Sequence, residues 1–313
     1  MTSLKNIQSA STVLLIRPAH FGFNTETAGS NIFQKNYSES QVEIRKKAVE
    51  DFNLFVSLLN QYSIDTIVLE DKMEIITPDS VFPNNWFSTH HDGTVILYPM
   101  LSSNRRKERR KEILELFVSK YNFRIGRIID LTHFEIQNLF LEGTGSLVFD
   151  HNNKIAYANL SSRTNKELVE QICNLLRYEP VIFTAQTKEG KEIYHTNVML
   201  AITENFAVIC NESIPDESEQ EIVLQKLDST NHEIISISFS QMEQFAGNML
   251  EVRNANSELV TIMSQSAFNC LEKNQHEIIL KSSRILPIPI PTIEQIGGGS
   301  ARCMMAEIFL PVS

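Results

Sequence analysis

An α/β protein arranged as a ring of five similar units is what this chain predicts, on two patterns. The first is the alternation of periods. Apolar residues recur every three or four positions at 41 to 60, through Ile44, Ala48, Phe52, Phe55 and Leu59, and similar spacing runs through 104–120, 164–178 and 217–229, so these segments predict helices. Between them stand short apolar runs rich in β-branched residues, among them "TVLLIRP" from 12, "DTIVLE" from 65, "TVILYP" from 94, "KIAYA" from 154, "FAVIC" from 206 and "ELVTIM" from 258, which predict strands.

The second pattern is an internal repeat. "NNWFSTHHDGTVILYP", "GTGSLVFDHNNKIAYANL", "HTNVMLAITENFAVICN" and "GNMLEVRNANSELVTIMS" share a polar or glycine-containing start, a strand, a tight turn, a second strand and then a helix. A fifth start, "GSARCMMAEIFL", finds its partners in the strand at 12–17. Asn85, Thr144, Asn197, Asn248 and Cys303 mark the five starts. In a ring these starts converge on the axis, which brings distant residues into one central pit.

Composition narrows the partners. A formal charge of −10 and 42% hydrophobic residues describe a globular protein without the clustered Lys and Arg that nucleic acid or an anionic membrane would want. The run "RRKERRKE" at 105–112 reads as the solvated face of an amphipathic helix. The apolar run Val13 to Ile16 is too short for a signal segment or a membrane span, which predicts a cytoplasmic location. Four cysteines, at 173, 210, 270 and 303, show neither CxxC nor Cys/His spacing, so no disulfide framework and no metal is expected. The first three sit in apolar patterns as small core residues.

Cys303 differs, because "GGGSARCMM" gives its backbone unusual freedom for a close approach to a substrate, and Arg302 would favour the thiolate if it pointed inward. The plain alternative is a loop before a buried cysteine. His195 stands at the mouth of an apolar strand, suited to general acid catalysis, with Asn197 two residues on and so on the same side of a strand. Glu142 lies in an apolar run before Gly143 and Gly145, where an acid has to be paired or functional. A nucleophile, an acid and an orienting carboxylate at three starts of one repeat form a coherent set.

The ordered succession "PDSVFPNNW", "LEGTGS", "LSSRTN", "HTNVM", "GNML" and "GGGSARCMM" resembles the guanidino-group modifying superfamily, which includes arginine deiminases, dimethylarginine hydrolases and amidinotransferases, and does so over nearly the whole chain. The resemblance implies a five-bladed, pseudo-symmetric α/β propeller (pentein) of ββαβ units with a central active site, taken as one domain over 1–313. It implies Cys303 as nucleophile, His195 as general acid/base, Glu142 as the catalytic glutamate, Arg163 as the holder of a substrate α-carboxylate and Asp79 as a further substrate contact, with no cofactor.

Three departures shape the expected chemistry. Members that act on guanidinium carry aspartate at the positions of Asn85 and, in deiminases, Asn197, and an acid where Gly145 stands here. A guanidinium bears donors on every nitrogen and a full charge, whereas a ureido group offers a carbonyl oxygen as well, which an amide can match and a carboxylate repels. The expected reaction is therefore hydrolysis of a ureido amino acid, most simply citrulline to ornithine, ammonia and carbon dioxide through an S-carbamoyl Cys303, with Asn85 and Asn197 binding the ureido group. This resembles the citrulline-utilising hydrolase branch of the superfamily. The alternatives are an arginine deiminase or amidinotransferase, or a propeller that only binds. The expected partner is a small amino acid, and a homo-oligomer stays open. The segment 17–36, long and without period, reads as a lid or substrate loop.

Overall fold

The computed structural model describes residues 7–36 and 38–312. Its strands form five three-stranded sheets of one plan. In the second unit β3 (Phe87–Thr89) and β4 (Thr94–Leu97) make an antiparallel hairpin, the helix Lys111–Ser119 crosses over, and β5 (Arg127–Asp130) pairs parallel to β4. The third unit repeats this with β6 (Val148–Asp150), β7 (Ile155–Leu160), the helix Lys166–Leu176 and β8 (Glu179–Thr184). The fourth has β9 (Leu200–Ile202), β10 (Phe206–Ile209), the helix Glu217–Ser229 and β11 (Glu233–Ser236). The fifth has β12 (Leu250–Arg253), β13 (Leu259–Ser264), the helices Gln265–Cys270 and Lys273–Leu280, and β14 (Arg284–Ile288).

The first sheet joins the two ends of the chain. β1 (Thr12–Arg17) pairs parallel with β2 (Asp65–Glu70) through the helix Gln41–Gln61, and antiparallel with β15 (Ala306–Ile308), with Thr12 opposite Ile308. This is the closure that the fifth repeat start predicts. Five ββαβ units in a pseudo-symmetric α/β propeller, a pentein, follow.

The long helix forms where its pattern puts it: Ser40 accepts from Glu43 N as N-cap, and Ile44, Ala48, Phe52, Phe55 and Leu59 are its buried face. The basic run is different. Residues Arg105–Glu108 form a short 3₁₀ turn, the α-helix begins only at Lys111, and Arg105 and Glu108 are buried. The expectation of a solvated helical face fails there, because the side chains of this turn are drawn in by buried acids and amides.

The repeat starts are turns rather than strand ends. Pro83–Asn85 and Thr196–Val198 are 3₁₀ turns and Gly143–Ser146 is one helical turn. Consequently the two-residue alternation expected to align His195 with Asn197 does not apply: His195 lines the central cavity, and Asn197 reaches the Cys303 sulfur from beside it. All five marked residues are buried, Thr144 the most exposed at 8%. No helix among the described residues is long and apolar enough to cross a membrane.

Candidate active site

Cys303 stands on the turn that leads into β15, with Asn248 Nδ2 3.3 Å and Asn197 Nδ2 3.6 Å from its sulfur. Two amide N–H groups are thus placed to receive negative charge on sulfur. The other cysteines have no such neighbours. Burial pushes the thiols of Cys173 and Cys210 up to about 12 and that of Cys270 up to about 11, which leaves them inert. Arg302 does not face the nucleophile: it donates to Glu307 Oε2 at 2.8 Å and to the Met305 carbonyl, since the tight turn sends adjacent side chains to opposite sides.

Glu142 is fully buried and its Oε2 lies 2.9 Å from His195 Nε2 and 3.4 Å from Arg163 Nη1. Burial alone would raise this carboxyl, but Arg163, the His195 hydrogen bond and Arg105 outweigh it and hold it well below the usual carboxylate range. For His195, burial outweighs the pull of Glu142, with Arg163 and Arg105 adding to it, and brings the imidazole down to about 4. The ring is therefore neutral at pH 7. With an ionised carboxylate on Nε2, the proton sits on Nε2 and the lone pair on Nδ1.

Gly145 shows why no acid stands at its position. A Cβ there would come within 2.6 Å of both Asn85 Nδ2 and His195 Nδ1. Backbone contact of the turn with catalytic groups leaves space for hydrogen only.

Arg163 is 2% exposed, lies over the Tyr194 ring at 4.7 Å, and donates to Ser30 Oγ at 2.7 Å and to the Thr27 carbonyl. Asp79 is buried: its Oδ2 accepts from Asn24 Nδ2 at 2.7 Å, while its Oδ1 has no partner. Asn197 Oδ1 and Asn84 Nδ2 are buried without partners as well. Asn85 is not the free donor and acceptor expected, since its Oδ1 accepts from Arg105 Nη1 at 2.7 Å and its Nδ2 donates to Asn84 Oδ1 at 3.1 Å.

Asn197 borders a separate space with Met249 and Arg302, whereas six of these residues share one cavity. Asp79, Asn85, Arg105, Arg163, His195 and Cys303 all line it, with Tyr194 and the triple glycine at 297–299. Its free volume of 10 Å³ is room for about one water. The roof is the segment predicted as a lid: Asn31 Nδ2 donates to the Gly297 and Gly298 carbonyls, Lys35 N to the Gln295 carbonyl, and Gln34 packs on Gly298, whose φ of +63° favours glycine.

Sequence reasoning missed Arg105 as a site residue and treated Asn248 only as a repeat mark. A signal for Arg105 was present. "LSSNR" after β4 and "LSSR" after β7 are equivalent segments of adjacent units, and both end on an arginine that enters the cavity. Among the described residues no group of His, Cys, Asp and Glu could hold a metal ion.

The five-sheet ring with a buried cysteine, histidine and glutamate at its centre is the arrangement of the guanidino-group modifying superfamily. The family described as N,N dimethylarginine dimethylhydrolase, eukaryotic, matches residues 17–310, and the chain belongs to it. Among solved structures, ArgZ, an arginine dihydrolase from the ornithine-ammonia cycle in cyanobacteria, is similar with a TM-score of 0.74 at 16% identity, over 96% of this chain and 41% of that one. The chain thus spans well under half of ArgZ, whose N-terminal domain alone, as a cysteine-to-serine mutant bound to substrate, is covered to 99% with a TM-score of 0.72 at 16% identity. A dimethylarginine dimethylaminohydrolase, a histidine-to-glycine variant in an adduct with S-methyl-L-thiocitrulline, has a TM-score of 0.64 at 17% identity over 96% of this chain and 100% of that one. No curated protein matches the sequence.

Proposed function

We propose that the protein hydrolyses a ureido amino acid, most simply citrulline to ornithine, ammonia and carbon dioxide. The observation that carries this reading is the set of groups around the nucleophile: an amide at Asn85 in the cavity wall, an amide at Asn197 beside the Cys303 sulfur, no room for a side chain at Gly145, and Arg105 already bringing a guanidinium into the cavity. A substrate guanidinium would add a further cation to a cavity that already holds Arg105 and Arg163, and would meet amides rather than carboxylates at Asn85 and Asn197. The unpaired Asn197 Oδ1 suits a ureido N–H.

In this mechanism neutral His195 takes the thiol proton of Cys303 through Nδ1, and Glu142 steadies the resulting imidazolium through Nε2. The thiolate attacks the ureido carbon. As the tetrahedral adduct collapses, the C–N bond to the side-chain nitrogen breaks, His195 returns its proton to that nitrogen, and ornithine leaves behind an S-carbamoyl Cys303. Water then gives a proton to His195 and attacks the carbonyl carbon, the C–S bond breaks, and His195 hands that proton back to the Cys303 sulfur. The released carbamate decomposes to ammonia and carbon dioxide. Arg163 takes the α-carboxylate in place of Ser30, and Asp79 Oδ1 takes the α-ammonium. No cofactor enters these steps, and the protein acts as one α/β propeller domain on a small amino acid in the cytoplasm.

A guanidino substrate is the second reading, favoured by the family match and by the likeness to ArgZ, an arginine dihydrolase. Purified protein incubated separately with citrulline and with arginine decides between them. Ornithine and ammonia from citrulline, with a carbamoyl adduct on Cys303 after rapid quenching, support the ureido reading. Turnover of arginine alone overturns it.

A further inference from the structure

An arginine side chain has N–H donors and no acceptor, so it dictates the direction of every amide bonded to it. Arg105 is held first by Glu108, its Nε donating to Oε1 at 3.0 Å and its Nη2 to Oε2 at 2.9 Å. Its Nη2 also reaches the Phe82 carbonyl at 3.2 Å, and Asp79 Oδ2 stands 3.8 Å from Nε. Fixed in this way, its Nη1 meets Asn85 at 2.7 Å and can only meet the oxygen. Asn85 therefore turns its NH₂ away from Arg105, where it donates to Asn84 Oδ1. Asn84 in turn is left with its NH₂ over, and that buried donor has no partner. The Asn85 NH₂ also stands beside His195 Nδ1, since both crowd the same point over Gly145. From Glu108 to Asn84 the hydrogen bonds run in one direction, from a carboxylate to unused amide N–H.

We infer that Arg105 is a specificity-determining positioning residue: clamped by Glu108, it sets the Asn85 amide in the cavity wall, with Asn84 Oδ1 behind it, so that N–H, not oxygen, remains for the substrate. This rests on the ureido reading and deepens it. A carbonyl oxygen, and the oxyanion it becomes, finds donors waiting. A guanidinium edge, all donors, finds donors again, and turning the amides to suit it would break a buried charge-assisted hydrogen bond. Arg105 thus rejects guanidinium by orientation as well as by charge.

The test compares kcat/KM for citrulline and for arginine in wild type, Arg105→Lys and Arg105→Met. Lysine is also a pure donor and keeps the amide direction; methionine releases it. The expected result is a citrulline-to-arginine ratio that falls about tenfold or more in Arg105→Met, mainly through kcat, and is largely retained in Arg105→Lys. In the Arg105→Met background, Asn85→Ala adds little further loss, because the oriented amide is already gone. An Arg105 that merely held the substrate carboxylate would raise KM for both amino acids alike and leave the ratio unmoved, which overturns the inference. Should Arg105→Met not fold, Glu108→Gln loosens the clamp with the arginine retained, and an unchanged ratio there is equally decisive against it. Calorimetric binding of both amino acids to Cys303→Ala, with and without Arg105→Met, reads the same preference without turnover. Citrulline turnover with an unmoved ratio defeats this inference alone, whereas turnover of arginine only defeats the ureido reading.

Discussion

Glu142 Oε2 sits 2.9 Å from His195 Nε2 and 3.4 Å from Arg163 Nη1, so one buried carboxylate serves a base and a cation at once. Glu142→Gln removes both services. It no longer fixes the His195 tautomer, and activity falls by about 10²- to 10⁴-fold. It also leaves Arg163 short of its counter-charge in a dry site, at a cost of about 3 kcal/mol. Steady-state kinetics and urea unfolding of the same variant check the two effects together.

Gly145 separates catalysis from stability. Gly145→Ala forces a methyl against Asn85 Nδ2 and His195 Nδ1, which moves the base away from its working position. Turnover drops by about 10²-fold or more, while the unfolding free energy falls by about 1–3 kcal/mol, the range of a crowded core. Wild-type kcat in the Gly145→Ala variant would show that this close contact is not needed for the reaction.

A cavity that holds one water must open to admit an amino acid. Residues 27–35 carry the closing contacts, through Thr27 and Ser30 to Arg163 and through Asn31 and Lys35 to the segment 295–298. Amide hydrogen exchange in 27–35 is expected to be faster than in the neighbouring strands and to slow when citrulline binds Cys303→Ala. Protection equal to that of β1 in the free protein would rule out this segment as the moving part. Ser30→Ala, which loosens the hold on Arg163, lowers KM modestly.

Buried histidines contribute stability that acid removes. Burial lowers His90 to about 4 and His195 to about 4, and carries His151 well below its ordinary value. The unfolded chain binds protons on these groups from about pH 6.5 downward and the folded one does not, so stability is full above that pH. This contribution declines as the pH falls toward 4, by up to about 3 kcal/mol for each of His90 and His195. Buried carboxyls raised by desolvation, Glu108 to about 8 among them, act with the opposite sign, so the test is a difference: between about pH 7.5 and 5 the urea midpoint of His90→Gln falls less, or rises more, than that of wild type. Equal slopes for the two proteins would exclude His90 from the effect.

Legibility in the sequence followed how local each cause was. Gln41–Gln61 was plain because its apolar residues repeat within one helix. The repeat exposed the ring because five units each carry the same hairpin, and it brought Cys303, His195 and Glu142 to one axis. β5 and β14 do not stand out in the sequence, β5 because three of its four residues are exposed and β14 because Pro287 interrupts its apolar run. Arg105 was hidden for another reason. Its neighbours Arg106, Lys107 and Arg109 are equally basic, and only a tertiary contact, the buried Glu108 and Asn85, distinguishes it. The direction of an amide cannot be read from the letter N, and here an arginine 20 positions away decides it.

Because β15 closes the ring on β1, the order of assembly and the onset of chemistry are tied together. Units two to five can each form from contiguous chain, but the pairing of Thr12 with Ile308 joins segments separated by nearly the whole sequence. Such a contact forms late. The nucleophile stands three residues before the strand that makes it, so a half-assembled ring has its acid, its base and its arginines in place but no sulfur between the Asn197 and Asn248 amides. The thiol is armed by the same event that completes the fold, and a growing chain carries no working active site until it does.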